Sequence, residues 1–223
     1  MFMPEPEGLP MNGPVEAYIE QLMRKNDPLF EEMASFANSE HIPIMDPIGM
    51  ETLCQMLRIQ KPESVLEIGT AIGYSALKMA DALPNVKIVT IEREEERVAQ
   101  ANAYFARTPL SRRIRLLKGD ALCGDVIQKA RELGPYDAIF IDAAKGQYRK
   151  FFDSFTPFLR EKGCVYTDNV LFKGLVVQDF IEKKQVSNLV RKIRSYNEWL
   201  MQHEQFITAI FPVGDGLAVS MKR

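Results

Sequence analysis

The chain begins with helical spacing and then changes period. Val15, Tyr18, Ile19, Leu22 and Met23 recur at intervals of one to four residues that fall on one helical face. Asp27-Pro28 then places an N-cap residue before a proline at the first helical position. It restarts a helix carrying Leu29, Phe30, Met33, Phe36 and Ala37. Asp46-Pro47 repeats the device and opens a third helix through Leu57. Residues 1–13, rich in Pro, Gly and Met, read as a loose arm ahead of these helices. The pattern divides the chain into an arm and helical cap over 1–60, without a strand, and a main domain over 61–223.

After residue 60 the pattern alternates. Short apolar, β-branched runs stand at 64–68, 87–92, 113–118, 136–142 and 163–168. Helical stretches at 74–82, 94–106, 122–132 and 147–159 separate them. Strands alternating with helices predict an α/β fold with a mostly parallel sheet covered on both faces. The end differs: a charged helix around 187–203 leads to strands at 206–211 and 217–221 around Pro212-Val213-Gly214-Asp215-Gly216, an antiparallel hairpin. Five parallel strands and a terminal hairpin make seven. That arrangement resembles the Rossmann-like class I methyltransferase sheet, whereas a plain dinucleotide-binding fold continues with another parallel unit.

Composition narrows the class without choosing a function. Hydrophobic residues make up 46% of the 223 residues and charged residues 26%, which excludes a disordered chain. The formal net charge of −2 leaves room only for a local basic face. The three cysteines, Cys54, Cys123 and Cys164, are odd in number and show no C-x-x-C spacing, which predicts a reduced, cytoplasmic chain. The first residues carry acids and prolines where a signal peptide needs basic and then apolar ones. No apolar run approaches the roughly 20 residues of a membrane span, and the chain is expected to have no membrane partner.

Candidate chemistry gathers at the carboxyl ends of the strands, where open α/β sheets bind ligands. The first strand runs into Glu67-Ile68-Gly69-Thr70-Ala71-Ile72-Gly73-Tyr74-Ser75. Its G-x-x-x-G spacing is not the G-x-G-x-x-G that holds a pyrophosphate on a helix N-terminus. S-adenosylmethionine (SAM) has no phosphate; it carries an ammonium, a carboxylate and a sulfonium, and an acid such as Glu67 suits it. Glu92 ends the second strand and is placed to accept both hydroxyls of a ribose. The alternative, a helix N-terminal acid, is already filled by Glu94, Glu95 and Glu96. In Gly119-Asp120-Ala121, Asp120 either accepts from an adenine amino group or caps the following helix. A dinucleotide enzyme shares an acid like Glu92, but not usually this glycine spacing together with Gly119-Asp120-Ala121.

Asp142 ends the fourth strand and Asp168-Asn169 the fifth. Adjacent parallel strands bring two carboxylates and an amide oxygen to one edge, an all-oxygen set suited to Mg²⁺ or Ca²⁺. The alternative is that Asp168 and Asn169 only shape a turn.

Asp142-Ala143-Ala144-Lys145-Gly146-Gln147-Tyr148, followed by Asp168-Asn169-Val170-Leu171, resembles the metal-dependent O-methyltransferases of the catechol and caffeoyl-CoA type. The likeness runs from the helical cap to the final hairpin. It is strongest to the bacterial branch that resembles the tRNA 5-hydroxyuridine methyltransferase. The resemblance implies Mg²⁺ on Asp142, Asp168 and Asn169, and Lys145 beside the reacting hydroxyl as base or as electrostatic stabiliser. It implies a cofactor pocket lined by Glu67, Gly69, Ser75, Glu92, Asp120, Ala121 and Asp142, and touched by Met45. Tyr148 either orients Lys145 and the substrate or packs on the sheet. A homodimer is implied by the same relatives.

The implied acceptor is the 5-hydroxyl of 5-hydroxyuridine in a tRNA anticodon loop, giving 5-methoxyuridine. A small catechol-like or phenolic substrate is the alternative, because both present neighbouring oxygens to one metal. For RNA the sequence offers three basic groups: Arg112-Arg113 with Arg115 and Lys118; Arg149-Lys150 with Lys173; and Lys183-Lys184 with Arg191-Lys192 and Arg194. A cofactor-binding module without catalysis would be expected to lose Lys145 or the Asp168-Asn169 pair, and this chain keeps them.

Overall fold

Three helices precede the first strand in the computed structural model, which describes residues 13–24 and 27–223. Of the arm expected at 1–13, all but Gly13 lies outside the described residues. The helices are α1 (Pro14–Leu22), α2 (Pro28–Ser39) and α3 (Pro47–Gln60). Both predicted caps form: the Asp27 carboxylate accepts from the Leu29 N–H at 2.9 Å, and that of Asp46 from the Gly49 N–H at 2.8 Å. α2 and α3 bury Phe30, Met33, Met50, Leu53 and Leu57, whereas α1 buries none of its residues.

The alternating region follows as β1 (Ser64–Ile68), α4 (Tyr74–Ala82), β2 (Lys87–Glu92), α5 (Glu95–Phe105), β3 (Ile114–Lys118), α6 (Gly124–Leu133), β4 (Tyr136–Ile141), α7 (Tyr148–Phe155), β5 (Leu159–Thr167), α8 (Lys184–Met201), β6 (Phe206–Phe211) and β7 (Leu217–Lys222). The seven strands form one sheet in the order β3-β2-β1-β4-β5-β7-β6. The first five run parallel, and β7 pairs antiparallel with both β5 and β6. This is the seven-stranded, Rossmann-like α/β sheet that the alternation predicts.

Two boundaries depart from the sequence reading by four residues. α7 ends at Phe155 and not at 159, because Pro157 has no N–H with which to continue the helix. β5 begins at Leu159, four residues before the expected 163. Arg160-Glu161-Lys162 lacks an apolar alternation, Lys162 has a positive φ of 61°, and the register with β4 shifts between Tyr136 and Ala138. An irregular strand start leaves no period-two trace.

Side chains of each strand alternate between two cores. Val65 joins Leu53, Leu77, Ile88 and Phe140 beneath α2–α5, while Leu66 joins Val126, Phe152, Phe155 and Leu200 beneath α6–α8. Each such buried Leu, Val or Phe side chain stabilises the fold by about 1.5–3 kcal/mol relative to exposure. Both faces are therefore occupied by packing, and only the strand ends are left for chemistry. The order reverses between β1 and β4, which makes the gap beyond their carboxyl ends the place for a ligand.

Candidate active site

A cavity of about 660 Å³ opens at that reversal. Its size falls in the range of small-molecule sites. Met45, Gly69, Ser75, Glu92, Asp120, Ala121, Asp142, Lys145, Asp168 and Asn169 all line it. The sequence thus placed ten of its twelve site residues on one wall or the other of a single cavity. Glu67 and Tyr148 lie behind the walls.

The loop after β1 turns through Gly69, at φ 103°, because its neighbour demands it. A Cβ there would stand 1.9 Å from the Asp142 carbonyl oxygen. Gly69 lines the cavity and also lets the ends of β1 and β4 touch. Gly73, at φ 85°, likewise clears the Phe105 ring, 2.5 Å from a built Cβ.

Glu67 is fully buried under this loop. Its carboxylate accepts from the Ser75 hydroxyl and from the Thr90 hydroxyl, each at 2.5 Å, and Thr90 shares a 2.6 Å hydrogen bond with Thr70. Burial pushes its pKa up to about 8 against those two hydrogen bonds, with the charges of Asp142 and Glu92 adding to the rise. Glu67 therefore meets the pocket through Ser75 and Thr70 and not directly, since a strand side chain at that register points into the sheet's packing.

Glu92 sits on the wall as expected. One oxygen accepts from the Ala71 N–H at 2.9 Å, the other from the N–H groups of Arg93 and Glu94 at 2.8 and 2.9 Å. The carboxylate is thus fixed between the two loops it joins. Asp120 lines the cavity and does not cap the following helix: α6 starts at Gly124 with Cys123 as its N-cap residue, and the Asp120 carboxylate instead accepts from the Leu122 N–H at 2.8 Å, closing the turn before it.

The opposite wall is built of acids. Asp168 is 1% exposed, and its pKa is raised to about 8 by burial and then by the charge of Asp142; hydrogen bonding from the Asn169 backbone opposes the rise. Asp142 is raised by burial and by Asp215, with the Lys145 ammonium opposing. Asn169, at φ 59°, donates to both Asp168 oxygens, through its N–H at 2.7 Å and its side-chain amide at 3.0 Å. The Lys145 ammonium donates to the Asn169 side-chain oxygen and lies 5.9 Å from the centre of the Phe172 ring. Tyr148 is buried behind this wall. Its hydroxyl donates to the Asp168 carbonyl at 2.9 Å and its ring packs 5.4 Å from that of Tyr196. Of the two roles weighed for it, packing is what the structure shows.

Asp215 is the wall residue that sequence reasoning missed. It lines the cavity, its carbonyl accepts from the Leu171 and Phe172 N–H groups at 2.8 and 3.2 Å, and its carboxylate accepts from the Lys173 N–H at 3.2 Å. The β6–β7 turn is thereby tied to the segment leaving β5. The signal was present as Gly214-Asp215-Gly216, but a Gly-Asp-Gly turn is sufficiently explained by hairpin geometry.

Asp142, Asp168 and Asn169, side by side on this wall, are the residues that could hold a cation. Among the described residues no three His, Cys, Asp or Glu side chains group as a ready-made metal cage. The donors are two carboxylates and one amide oxygen. That set fits Mg²⁺, which keeps several waters and takes one or two protein carboxylates, better than Ca²⁺ with its six to eight oxygens.

Comparison with known proteins agrees with the fold. Residues 21–223 match the family model described as O-methyltransferase. The crystal structure of a candidate caffeoyl-CoA O-methyltransferase from Staphylococcus aureus is 34% identical, covering 94% of this chain and 97% of that chain with a TM-score of 0.84. An O-methyltransferase from Bacillus cereus, solved in complex with SAH, is 25% identical, with coverage of 94% and 97% and a TM-score of 0.80. The catechol O-methyltransferase of Niastella koreensis is 29% identical over 191 residues, 83% of this chain and 84% of the relative.

Proposed function

The chain belongs to the O-methyltransferase family, and from that premise we propose that it is a SAM- and Mg²⁺-dependent enzyme that methylates the 5-hydroxyl of 5-hydroxyuridine in a tRNA anticodon loop, giving 5-methoxyuridine. The observation that carries the chemistry is the facing of two walls across one cavity, with Glu92 and Asp120 on one side and Asp142, Lys145, Asp168 and Asn169 on the other. SAM is supported by the SAH held in the Bacillus cereus relative, SAH being what remains of SAM after methyl loss. In this reading residues 61–223 form the methyltransferase domain, and 1–60 an arm and cap that brings Met45 to the pocket.

When bound, SAM supplies an electrophilic methyl on a sulfonium, and Mg²⁺ on Asp142, Asp168 and Asn169 supplies a Lewis-acid anchor that favours the acceptor as an oxyanion. The protein's own groups do the remainder. Glu92, locked by three backbone N–H donors, presents its carboxylate to the cofactor ribose without further ordering. Lys145, beside Asn169, is placed either as a neutral amine to take up the hydroxyl proton or as an ammonium to lie against the oxyanion that is left. Phe172 covers Lys145 and helps to keep water out. Tyr148 holds the Asp168 backbone from behind and acts by position.

A second reading, a small catechol-like acceptor, is favoured by the relatives' own names, among them the Niastella koreensis catechol enzyme. The deciding experiment is methyl transfer from labelled SAM to tRNA carrying 5-hydroxyuridine and, separately, to catechols. Incorporation into RNA is expected, and the RNA reading is abandoned if only the small phenols accept methyl. EDTA is expected to reduce transfer to background and Mg²⁺ to restore it; full activity in EDTA removes the metal. We further read α1, whose Tyr18, Ile19 and Leu22 are exposed, as the pairing surface of a homodimer. Among the described residues, no helix is long and apolar enough to cross a membrane.

A further inference from the structure

The structure separates the chain's basic residues into those that the fold uses and those it leaves outward. Half of the group around β3 is consumed, while Arg112 and Arg115 are exposed but do not line the cavity. Arg113 donates to the carbonyls of Leu83 and Ala80, where α4 ends, and Lys118 pairs with Glu95. Arg149 lies 4.8 Å over the Trp199 ring and 3.8 Å from Asp153. Arg194 holds the Val176 carbonyl at 2.7 Å and the Gln178 carbonyl at 2.5 Å, pinning the segment between β5 and α8.

Lys173, Lys184, Arg191 and Lys192 are different. Among the described residues none of them takes part in an ion pair. Lys173 lines the cavity. The Lys192 ammonium approaches Gly146, next to the active-site lysine, to 3.5 Å from a built Cβ. Lys184 and Arg191 lie on one exposed stripe of α8, about two turns apart. Lys184 to Lys192 spans about 12 Å of helix, the rise of three or four stacked nucleotides at about 3.4 Å each. Residues 143–197 hold eleven Lys and Arg against five Asp and Glu, a surplus of six in a chain whose net charge is −2. Phe180, 78% exposed, stands on the same segment that Arg194 pins, and an outward aromatic beside cations suits an unpaired base.

We infer that the exposed stripe of α8 and the segment leading into it form a ledge at the cavity mouth that grips the phosphodiester backbone of a single-stranded RNA loop, beside the nucleotide inserted into the site. The inference rests on the RNA reading of the acceptor. The ledge supplies charge and the cavity supplies chemical selection, so binding to the ledge does not require the 5-hydroxyl.

The test uses an unmodified anticodon stem-loop as probe and fluorescence anisotropy across a salt series. Two doubles of equal charge change are compared: Lys184→Ala with Lys192→Ala, and Arg112→Ala with Arg115→Ala on the far basic group. SAM binding by calorimetry confirms that both are folded. The α8 double is expected to weaken RNA binding roughly ten-fold near 0.1 M salt, and to flatten the log–log salt slope by about 1.4, about 0.7 for each lost phosphate contact. The β3 double is expected to change neither. Equal effects of the two doubles, or none from the α8 double, overturn the ledge. Coenzyme A is the second probe: if its binding depends on the α8 pair and that of RNA does not, the ledge serves a coenzyme A-type nucleotide and the proposal is lost. Binding that depends on α8 without methyl transfer to 5-hydroxyuridine upholds the ledge and removes the acceptor assignment. Methyl transfer to RNA that ignores the α8 double does the reverse.

Discussion

The two walls of the cavity are made of the same kinds of residue and are in opposite states. On the side of β1–β3, every acid has partners from its own chain: Glu92 has three backbone donors, Glu67 two hydroxyls, and Asp120 the N–H of Leu122. On the side of β4, β5 and the β6–β7 turn, Asp215 raises Asp142 and Asp142 raises Asp168, with Lys145 opposing both and Asn169 donating to Asp168. Positive φ in non-glycine residues occurs at Ala71 on the first side and at Asn169, Phe172 and Lys173 on the second. A saturated wall is already in its binding shape, which suits a cofactor returning each cycle. A wall of buried acids that raise one another's proton affinity favours a positive charge beside it, which is what the proposed metal would supply.

The largest test of this contrast is Asp168→Ala. Turnover is expected to fall about a thousand-fold, the scale of several kcal/mol of lost metal-centred stabilisation, while calorimetric SAM affinity stays within about two-fold. A comparable loss of SAM binding would show that the walls are not independent. Lys145→Met comes next, with kcat lower by about a hundred-fold, as for loss of a general base or a positive neighbour, and little change in cofactor affinity. Glu92→Ala reverses the pattern: cofactor affinity falls roughly ten-fold and turnover at saturating SAM changes little. Unchanged SAM binding in that variant would remove Glu92 from the cofactor wall.

The smallest effect concerns Glu67 and is read in stability. Its pKa is raised from the ordinary 4.5 to about 8 in the folded state. The unfolded chain therefore ionises first as pH rises. The stability from keeping this carboxyl neutral is full below about 4.5 and is lost progressively up to about 8. Melting temperature across that window is expected to decline less steeply in Glu67→Gln than in the parent. Parallel curves would mean that Glu67 stays charged when buried.

The contrast also explains what was legible in the sequence. Glu92, Asp142 and Asp168-Asn169 could be read because each interrupts an apolar run at a strand's carboxyl end, where the fold places ligands. The two Asp-Pro caps could be read because capping is a local property. Asp215 was hidden by its own grammar, since the turn accounts for it without a site. Tyr148 was ambiguous because an aromatic one turn beyond Lys145 points inward or outward according to a helix phase that only packing fixes. The division of the basic residues was invisible because partners such as Leu83 for Arg113 and Trp199 for Arg149 lie thirty or more residues away.

Gly69 has a bearing on redesign. Its missing side chain is where the β1 loop rests on the Asp142 carbonyl. Anyone altering the loop to admit a bulkier methyl-donor analogue would choose this wall because it looks separate from the chemistry. Gly69→Ala would instead push on the strand end that carries Asp142, and the damage would surface across the cavity, at the proposed metal site. Room for a larger donor has to be sought in side chains that line the cavity without bearing on Asp142, such as Met45 and Ala121.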